Sequence, residues 1–158
     1  MIVAVGREFT SPTLAPWPWL MYVQRDPSRG LPLPGQILTD QDLENVNDEV
    51  NTKMNKGEGL PSVTDEWQPW RDPGWCGDFA VTKRELLLRL GWPTSAVLIA
   101  EVLTAMSEYH AVVLINGTRQ IVLDILTTQL REPARTGYKW IKIQSPEDPN
   151  QWFEETQA

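Results

Sequence analysis

Residues 76 to 90 predict a helix that is apolar around most of its circumference, and this helix limits the folds open to the chain. Lys83 and Arg84 offer a polar edge, Gly91 stands where a glycine commonly ends a helix, and Trp92-Pro93 closes it. A helix of this kind must be covered on several sides, so we expect it to be the central helix of a small α+β domain. Its apolar residues are Phe79, Ala80, Leu86, Leu87, Leu88 and Leu90.

Segments that resemble β-strands follow this helix and predict the sheet on which it packs. Residues 96–105, 109–115 and 120–126 are rich in Val, Ile and Leu, have the length of strands, and are separated by short turns. We expect three consecutive antiparallel strands here, and a fourth at 138–143. Before the central helix, a capping box at Thr39 and apolar residues at helical spacing predict a helix from Asp40 to about Asn55. The predicted fold class is therefore α+β, with an antiparallel sheet of about four strands.

The length and composition of the chain indicate one domain. With 158 residues, of which 41% are hydrophobic, the chain can bury one core but is short for two. Six of the 13 prolines lie in residues 1–38, which we interpret as an arm wrapped on a single catalytic domain of residues 39–158. The arm could form one wall of the substrate groove or occupy the site as a substrate mimic. We favour the alternative that it packs on the surface of the domain. In the polar tail, Trp152-Phe153 is expected to dock on the domain.

Charge and residue usage exclude several classes of function. The net charge is −7 and basic residues form no run, which disfavours partners such as nucleic acid and anionic membranes. One cysteine excludes an internal disulfide, and one histidine disfavours a conventional His/Cys metal site. The amino terminus has no signal-peptide pattern, and no apolar run reaches the roughly 18 residues of a membrane span. We expect a soluble protein, cytoplasmic or virion-associated, whose oligomeric state stays open.

Three residues predict the chemistry of a thiol hydrolase. Cys76 is expected in the first turn of the central helix, where free N–H groups favour the negative charge of a thiolate. His110 follows in one predicted strand and Asp124 in the next, within an apolar segment where a buried carboxylate requires a partner. We therefore predict Cys76 as the nucleophile, His110 as its base and acid, and Asp124 as the group that orients the imidazole. A small buried cysteine and a structural histidine are the simpler alternatives.

The hairpin between the second and third strands provides a geometric test. A three-residue loop at 116–118 places His110 directly opposite Asp124, on one face of the sheet. A two-residue turn at Asn116-Gly117 would instead place the two side chains on opposite faces. We predict the three-residue loop or a bulge, because the pairing of His110 with Asp124 requires it.

The loop before Cys76 is expected to complete the site. The oxyanion of an acyl-transfer reaction would be bound by the backbone N–H of Cys76 and by a second donor from this loop. Gln68 and Trp67 are the candidates for that donor, although the sequence does not decide between them. With Trp75, the indole rings here build either a substrate pocket or the rigid frame of the loop, and both interpretations stay open.

The residues around Cys76, His110 and Asp124 resemble those of the bacterial transglutaminase-like cysteine proteinases. This papain-like family includes the periplasmic protease that cleaves a biofilm adhesin. The family pattern Gly-Asp-Cys-Glu-Asp-(Tyr/Phe)-Ala is similar to residues 74–80 here, and its His-Ala-Val and Val-Leu-Asp strands are similar to 110–112 and 122–124. Its repeated Val-Asn pairs are similar to Val46-Asn47 and Val50-Asn51. The resemblance covers about residues 40–153 and implies a papain-like or transglutaminase-like fold with cysteine protease activity on a protein or peptide.

Two departures from the family pattern bear on cofactors. Trp75 and Gly77 replace the acidic residues that flank the cysteine and coordinate calcium in calcium-dependent members, so we expect no cofactor and no metal ligands. Asp78 is retained, and we interpret it as structural. The resemblance also implies export, which this amino terminus does not support, so a phage-encoded or otherwise intracellular relative fits better. Alternative functions are transglutaminase or amidase activity, or a non-catalytic interaction or virion-assembly module that retains the fold.

Overall fold

The computed structural model describes residues 8–10, 39–57, 67–117 and 119–154. Within these ranges the chain forms two α-helices, two 3-10 turns and seven β-strands. The helices are α1 (Asp40–Lys53) and α2 (Cys76–Arg89), and the 3-10 turns are Thr94–Ala96 and Pro133–Arg135. The strands are β1 (Glu8–Thr10), β2 (Val97–Leu103), β3 (Tyr109–Asn116), β4 (Gln120–Asp124), β5 (Thr127–Arg131), β6 (Lys139–Gln144) and β7 (Gln151–Glu154).

The described strands form one antiparallel sheet in the order β1-β7-β6-β2-β3-β4-β5. The predicted α+β class is confirmed, and the four predicted strands are β2, β3, β4 and β6. The predicted count of about four was too low, because β1, β5 and β7 extend the sheet. These three strands are short, and none contains the run of Val, Ile and Leu by which a strand is recognised in a sequence.

Each helix begins and ends where its local sequence favours it. At the start of α1, the Asp42 carboxylate accepts the backbone N–H of Thr39 at 3.2 Å, and the helix ends at Lys53, two residues before the predicted end. At the end of α2, the N–H of Gly91 binds the carbonyl of Leu88, and the N–H of Trp92 binds that of Leu87. This Schellman motif requires the positive φ of 100° that Gly91 adopts, so the glycine is conformationally needed here.

The two helices cover one face of the sheet. A first apolar cluster joins α1 and α2 to alternate residues of β2, β3 and β4, and it includes Phe79, Ile99 and Val113. The side chain of Trp152 from β7 is completely buried in this cluster, which confirms the predicted docking of the tail. A second cluster lies among the residues that point the other way and includes Trp140 of β6. The sheet is thus buried on both faces near its centre, where six consecutive residues of both β2 and β3 are buried.

Of the N-terminal arm, the structure describes only the backbone of β1, which pairs with β7 at the edge of the sheet. The rest of residues 1–38 lies outside the described residues, so the interpretation of this segment as a surface-packed arm stays a prediction. The domain boundary at residue 39 also stays a prediction. Among the described residues, neither helix is both long and apolar enough to cross a bilayer.

Candidate active site

The structure places Cys76 at the first residue of α2, where the loop of residues 67–75 meets the helix. The buried carboxylate of Asp78, in the first turn, binds this loop at two points. Its Oδ1 accepts the backbone N–H of Gln68 at 2.7 Å, and its Oδ2 accepts that of Trp75 at 2.9 Å. A negative charge is also favoured among the N–H groups of a first helical turn. Asp78 therefore holds the segment that leads into Cys76, in agreement with its structural interpretation.

Further hydrogen bonds attach the loop to α2 and to the segment that follows α1. The hydroxyl of Thr82 accepts the N–H of Trp70 at 2.8 Å and donates to the carbonyl of Asp78 at 2.7 Å. Gly74 exchanges backbone hydrogen bonds with the segment that follows α1, through the carbonyl of Asn55 and the N–H of Gly57. The chain before Cys76 is thus held by hydrogen bonds to α2 and to the segment after α1, and Cys76 itself is partly exposed.

His110 and Asp124 meet where β3 begins and β4 ends. The hairpin pairs Asn116 with Gln120, which leaves the predicted three residues between the strands, but one position later than predicted. The prediction that His110 lies directly opposite Asp124 is therefore wrong, because continuing this register places Val112 there. The shift moves the pairing by two residues, so both side chains remain on one face as diagonal neighbours. The side chains of His110 and Asp124 are long enough to meet across this diagonal, and they are in contact.

The His110 ring donates from Nε2 to Oδ1 of Asp124 at 2.7 Å, and both side chains are buried. Burial opposes protonation of His110, but hydrogen bonds with Asp124 and Cys76 outweigh it and raise its pKa to about 9. Burial also opposes ionisation of Asp124, but the bond from His110 and other donors lower its pKa to about 2. With Nε2 bound to Asp124, Nδ1 is the ring nitrogen that remains for the thiol. The structure thus brings the three predicted residues together in the order Cys76, His110, Asp124.

Asp124 has further partners that the sequence analysis missed. Its Oδ1 also accepts the N–H of Leu126 at 3.0 Å, and its Oδ2 accepts Arg131 Nη2 at 2.8 Å and Tyr138 Oη at 2.5 Å. Its backbone carbonyl accepts Nδ2 of Asn51 in α1 at 2.9 Å. The repeated Val-Asn pairs in the sequence of α1 were a signal for Asn51. No sequence signal pointed to Arg131 or Tyr138, because a polar β5 and the turn after it bring them to the site.

Of the residues predicted to bind the oxyanion or substrate, Gln68 has a free side-chain donor, whereas Trp67 and Trp75 pack against glycines. The Gln68 side chain is exposed, whereas its backbone N–H is bound to Asp78, so only its amide side chain remains as a donor. The Trp67 indole lies on Gly77, because a Cβ added there would be 2.3 Å from Nε1 of the indole. Likewise, a Cβ at Gly57 would be 2.5 Å from the ring of Trp75. Both indole rings therefore pack on glycine backbone, which is the contact expected of a frame.

Acidic side chains near Cys76 do not form a metal cluster in the part of the chain that the structure describes. Across residues 39–57, 67–117 and 119–154, no three or more His, Cys, Asp or Glu side chains are grouped as metal ligands. Asp78 uses both carboxylate oxygens for backbone N–H groups, and Trp75 and Gly77 supply no side-chain oxygen. Trp75, Gly77 and Asp78 therefore offer no free side-chain oxygen beside Cys76.

Comparison with known proteins identifies the family. The sequence-family model of the bacterial transglutaminase-like cysteine proteinases matches residues 11–158 of this chain. The chain belongs to this family. It is thus a cysteine protease, with a peptidase-type function and a protein or peptide substrate, as the sequence predicted. A comparison with curated proteins found no match.

Solved structures of LapG from Legionella pneumophila share the fold of this family member. Calcium-bound LapG is 24% identical, covers 75% of this chain and 71% of its own, and gives a TM-score of 0.63. Another LapG structure is 23% identical, with coverages of 72% and 68% and a TM-score of 0.61. EGTA-treated LapG is 23% identical, with coverages of 66% and 62% and a TM-score of 0.56. These likenesses confirm the predicted transglutaminase-like fold.

The LapG structures overturn one prediction. We expected no cofactor and doubted a role for calcium, whereas LapG is described in a calcium-bound and an EGTA-treated form, which points to calcium binding. The prediction relied on the loss of two acidic side chains, at Trp75 and Gly77. That ground was insufficient, because calcium takes about six to eight oxygen ligands, and backbone carbonyls and water supply many of them.

Proposed function

We propose that this cysteine protease cleaves amide bonds through Cys76, His110 and Asp124 and through an acyl-enzyme intermediate. The observation that carries the proposal is the position of His110, which donates from Nε2 to Asp124 at 2.7 Å and whose pKa is raised by its interactions with Asp124 and Cys76. The raised pKa of the imidazole, about 9, keeps it protonated at neutral pH, where it stabilises a thiolate on Cys76. Because Nε2 is bound to Asp124, Nδ1 is the ring nitrogen left to interact with the sulfur.

In the first half of the reaction, the Cys76 sulfur attacks the carbonyl carbon of the substrate and forms a C–S bond. The tetrahedral intermediate collapses as the C–N bond breaks, and Nδ1 of the His110 imidazolium transfers its proton to the leaving amine. The products of this step are a free amine, a thioester on Cys76 and a neutral His110. Asp124 stays ionised throughout, because its pKa of about 2 lies far below neutral pH.

In the second half, water is the acceptor. Nδ1 of His110 takes a proton from water as its oxygen attacks the thioester carbon. The C–S bond then breaks, a carboxylic acid leaves, and the thiolate and imidazolium form again. During both halves, the negative oxygen would be bound by the backbone N–H of Cys76 and the side-chain amide of Gln68. The exposure of that amide and the anchoring of its backbone to Asp78 support this role for Gln68.

The proposal can be tested without a known substrate, because Cys76 is the only cysteine and a single alkylation reports on it. We expect iodoacetamide to modify Cys76 at pH 6 roughly tenfold faster than a free thiol, since an ordinary thiol is almost wholly protonated there. His110→Ala and Asp124→Asn should slow the reaction toward the free-thiol rate. Glu108→Gln, which neutralises an exposed carboxylate close in sequence to His110, is the control.

Activity supplies the second arm of this test. A broad fluorogenic peptide library should be cleaved by the wild type and not by Cys76→Ala. Alkylation at the free-thiol rate, together with cleavage that survives Cys76→Ala, would show that another site acts. The non-catalytic alternative predicts no cleavage by either protein and no fast alkylation.

We also propose that the chain binds calcium, as the LapG structure described as calcium-bound does, through ligands other than the two replaced side chains. Glu58, Asp65 and Glu66 stand in the sequence between α1 and Cys76, outside the described residues. Calcium at about 100 times its Kd should stabilise the fold by about 2.7 kcal/mol. Thermal unfolding with calcium, with magnesium and with EGTA measures this, and an unfolding temperature that is the same in calcium and in EGTA would contradict the proposal.

A further inference from the structure

The carboxylate of Asp124 accepts four hydrogen bonds, of which the proposed reaction uses one. Oδ1 accepts His110 Nε2 and the backbone N–H of Leu126, whereas Oδ2 accepts the side chains of Arg131 and Tyr138. A carboxylate has about four lone-pair positions, so the group is saturated. Because both oxygens are held, the carboxylate cannot rotate about its Cβ–Cγ bond without breaking two of these bonds. The bonds from Arg131 and Tyr138 to Oδ2 therefore fix the direction in which Oδ1 points toward the imidazole.

Tyr138 contacts both members of the His110 and Asp124 pair. Its hydroxyl donates to Asp124 Oδ2 at 2.5 Å, and its ring meets the imidazole edge to face, with 5.7 Å between the ring centroids and 71° between the planes. An edge-to-face contact of aromatic rings is attractive and depends on orientation. Rotation of the imidazole away from Cys76 would therefore lose this contact together with the bond to Asp124. Burial and the bond to Asp124 raise the pKa of Tyr138 to about 12, so its hydroxyl stays protonated.

Arg131 supports the tyrosine and the carboxylate together. Its Nη2 donates to Asp124 at 2.8 Å and to Tyr138 Oη at 3.3 Å, and its guanidinium lies 5.5 Å from the centroid of the tyrosine ring. Arginine suits this use, because one terminal nitrogen donates to both acceptors while the planar guanidinium lies against the aromatic ring. The side chain is a quarter exposed, so the contact shields the pair from solvent without closing it off.

The segment between Arg131 and Tyr138 turns back so that Tyr138 lies next to Asp124. After β5 ends at Arg131, the 3-10 turn reverses direction, and the Thr136 hydroxyl donates to the carbonyl of Pro133 at 2.7 Å and accepts the N–H of Tyr138 at 3.2 Å. Gly137 supplies the positive φ of 73° that this path needs. The backbone at Tyr138 is therefore held by local hydrogen bonds that do not involve Asp124.

From these contacts we propose that Tyr138 and Arg131 are positioning residues for the reaction, acting through Asp124 and, for Tyr138, through the ring of His110. The inference rests on the proposed triad. Tyr138 sets the orientation of the pair, and Arg131 offsets part of the negative charge that Asp124 presents to the imidazolium. Two independent effects follow. Loss of the tyrosine hydroxyl should lower the rate of the chemical step, and loss of the arginine charge should strengthen the hold of Asp124 on the imidazolium proton.

Tyr138→Phe tests the first effect, because it keeps the ring and removes only the hydroxyl. With the library peptide that the wild type cleaves fastest, we expect kcat to fall roughly tenfold to 150-fold, the range for one hydrogen bond to a charged group, while KM stays within about twofold. Tyr109→Phe is the matched control, since Tyr109 precedes His110 in β3 and is 72% exposed. It should leave both constants unchanged.

Arg131→Gln tests the second effect through a property that a merely structural residue would not change. His110 is the only histidine, so its ring signal in proton NMR gives its titration directly in an untagged protein. Removing a neighbouring cation favours the imidazolium, so the pKa of His110 should rise by roughly 0.5 to 1, and the alkaline limb of the alkylation profile should follow. Arg131→Lys keeps the charge and should restore the wild-type titration. Arg135→Gln, at an exposed arginine of the same segment, is the control.

Alanine variants separate the failure of this inference from that of the triad. If Cys76→Ala and His110→Ala are inactive while Tyr138→Phe retains the wild-type kcat and Arg131→Gln leaves the His110 titration unchanged, the positioning inference is overturned and the triad stands. If Cys76→Ala or His110→Ala remains active, both fail. Urea unfolding of each variant shows whether a lower rate reflects loss of folded protein, and the Arg131→Gln titration is read in folded protein only.

Discussion

Lys83 is a lysine in the core of a small domain, and its replacement by methionine should stabilise the protein. The side chain lies on α2 and is only 1% exposed. Burial lowers its pKa from 10.5 to about 7; attraction to Asp124 opposes this change, whereas Lys56 adds to it. Methionine keeps an unbranched chain of similar length but carries no charge that must leave water. The substitution therefore removes a cost of folding without opening a large cavity.

The size and the pH dependence of the effect follow from proton linkage. A pKa lowered by about 3.5 costs about 5 kcal/mol of folding free energy, because each pKa unit is worth about 1.4 kcal/mol. The folded protein binds the proton less tightly than the unfolded chain, so the full cost applies below pH 7. It decreases as the pH rises from 7 to 10.5. Replacing buried charges by apolar side chains gains roughly 1 to 4 kcal/mol. We expect Lys83→Met to gain about 2 to 4 kcal/mol at pH 6 and less than about 1 kcal/mol at pH 10.

Urea unfolding measures this prediction, with the fluorescence of the eight tryptophans as the signal. The wild type and Lys83→Met are compared at pH 6 and pH 10. Lys139→Met, at an exposed lysine of β6, is the control and should change stability by no more than about 0.5 kcal/mol. A variant less stable than the wild type at pH 6 would refute the reasoning, as would a gain of equal size at both pH values.

Three further predictions concern the site and its support. The raised pKa of His110 should contribute about 3 kcal/mol of stability below pH 6.5 that is lost as the pH rises through 9, so the stability difference between wild type and His110→Ala should shrink over that range in urea titrations. Gly77→Ala should destabilise the fold by roughly 1 to 3 kcal/mol, because its Cβ would lie 2.3 Å from the Trp67 indole; an unchanged urea midpoint would contradict this. Asn51→Ala removes the 2.9 Å bond to the Asp124 carbonyl and should slow alkylation of the cysteine; an unchanged rate would exclude that support.

The electrostatic roles of Lys83 and His110 oppose each other in the alkaline range. Between about pH 7 and 9, loss of the imidazolium removes stability while the falling cost of Lys83 restores it. We therefore expect wild-type stability to vary little in this interval. Lys83→Met removes one of the two contributions and should make the remaining dependence on His110 visible as a steady loss of stability with rising pH.

Much of the fold follows from local sequence patterns. The apolar residues of α2 and the glycine after it define a helix from either end, and the runs of Val, Ile and Leu define β2 and β3, because these patterns act within a few residues along the chain. The order of Cys76, His110 and Asp124 could be read in the same way. A lone cysteine at a helix start and a charge within an apolar strand are unusual enough locally to indicate chemistry.

Tertiary structure alone decided how these residues meet and what surrounds them. The hairpin register, shifted by two residues from direct opposition, makes His110 and Asp124 diagonal neighbours, and side-chain reach rather than turn sequence settles their contact. Arg131 and Tyr138 reach Asp124 only because β5 and the turn after it fold back toward β4. Such contacts join residues that no periodic pattern relates, so they depend on the packing of the whole sheet. The sequence by itself determined the elements and the reactive side chains, and packing determined their partners and their charge states.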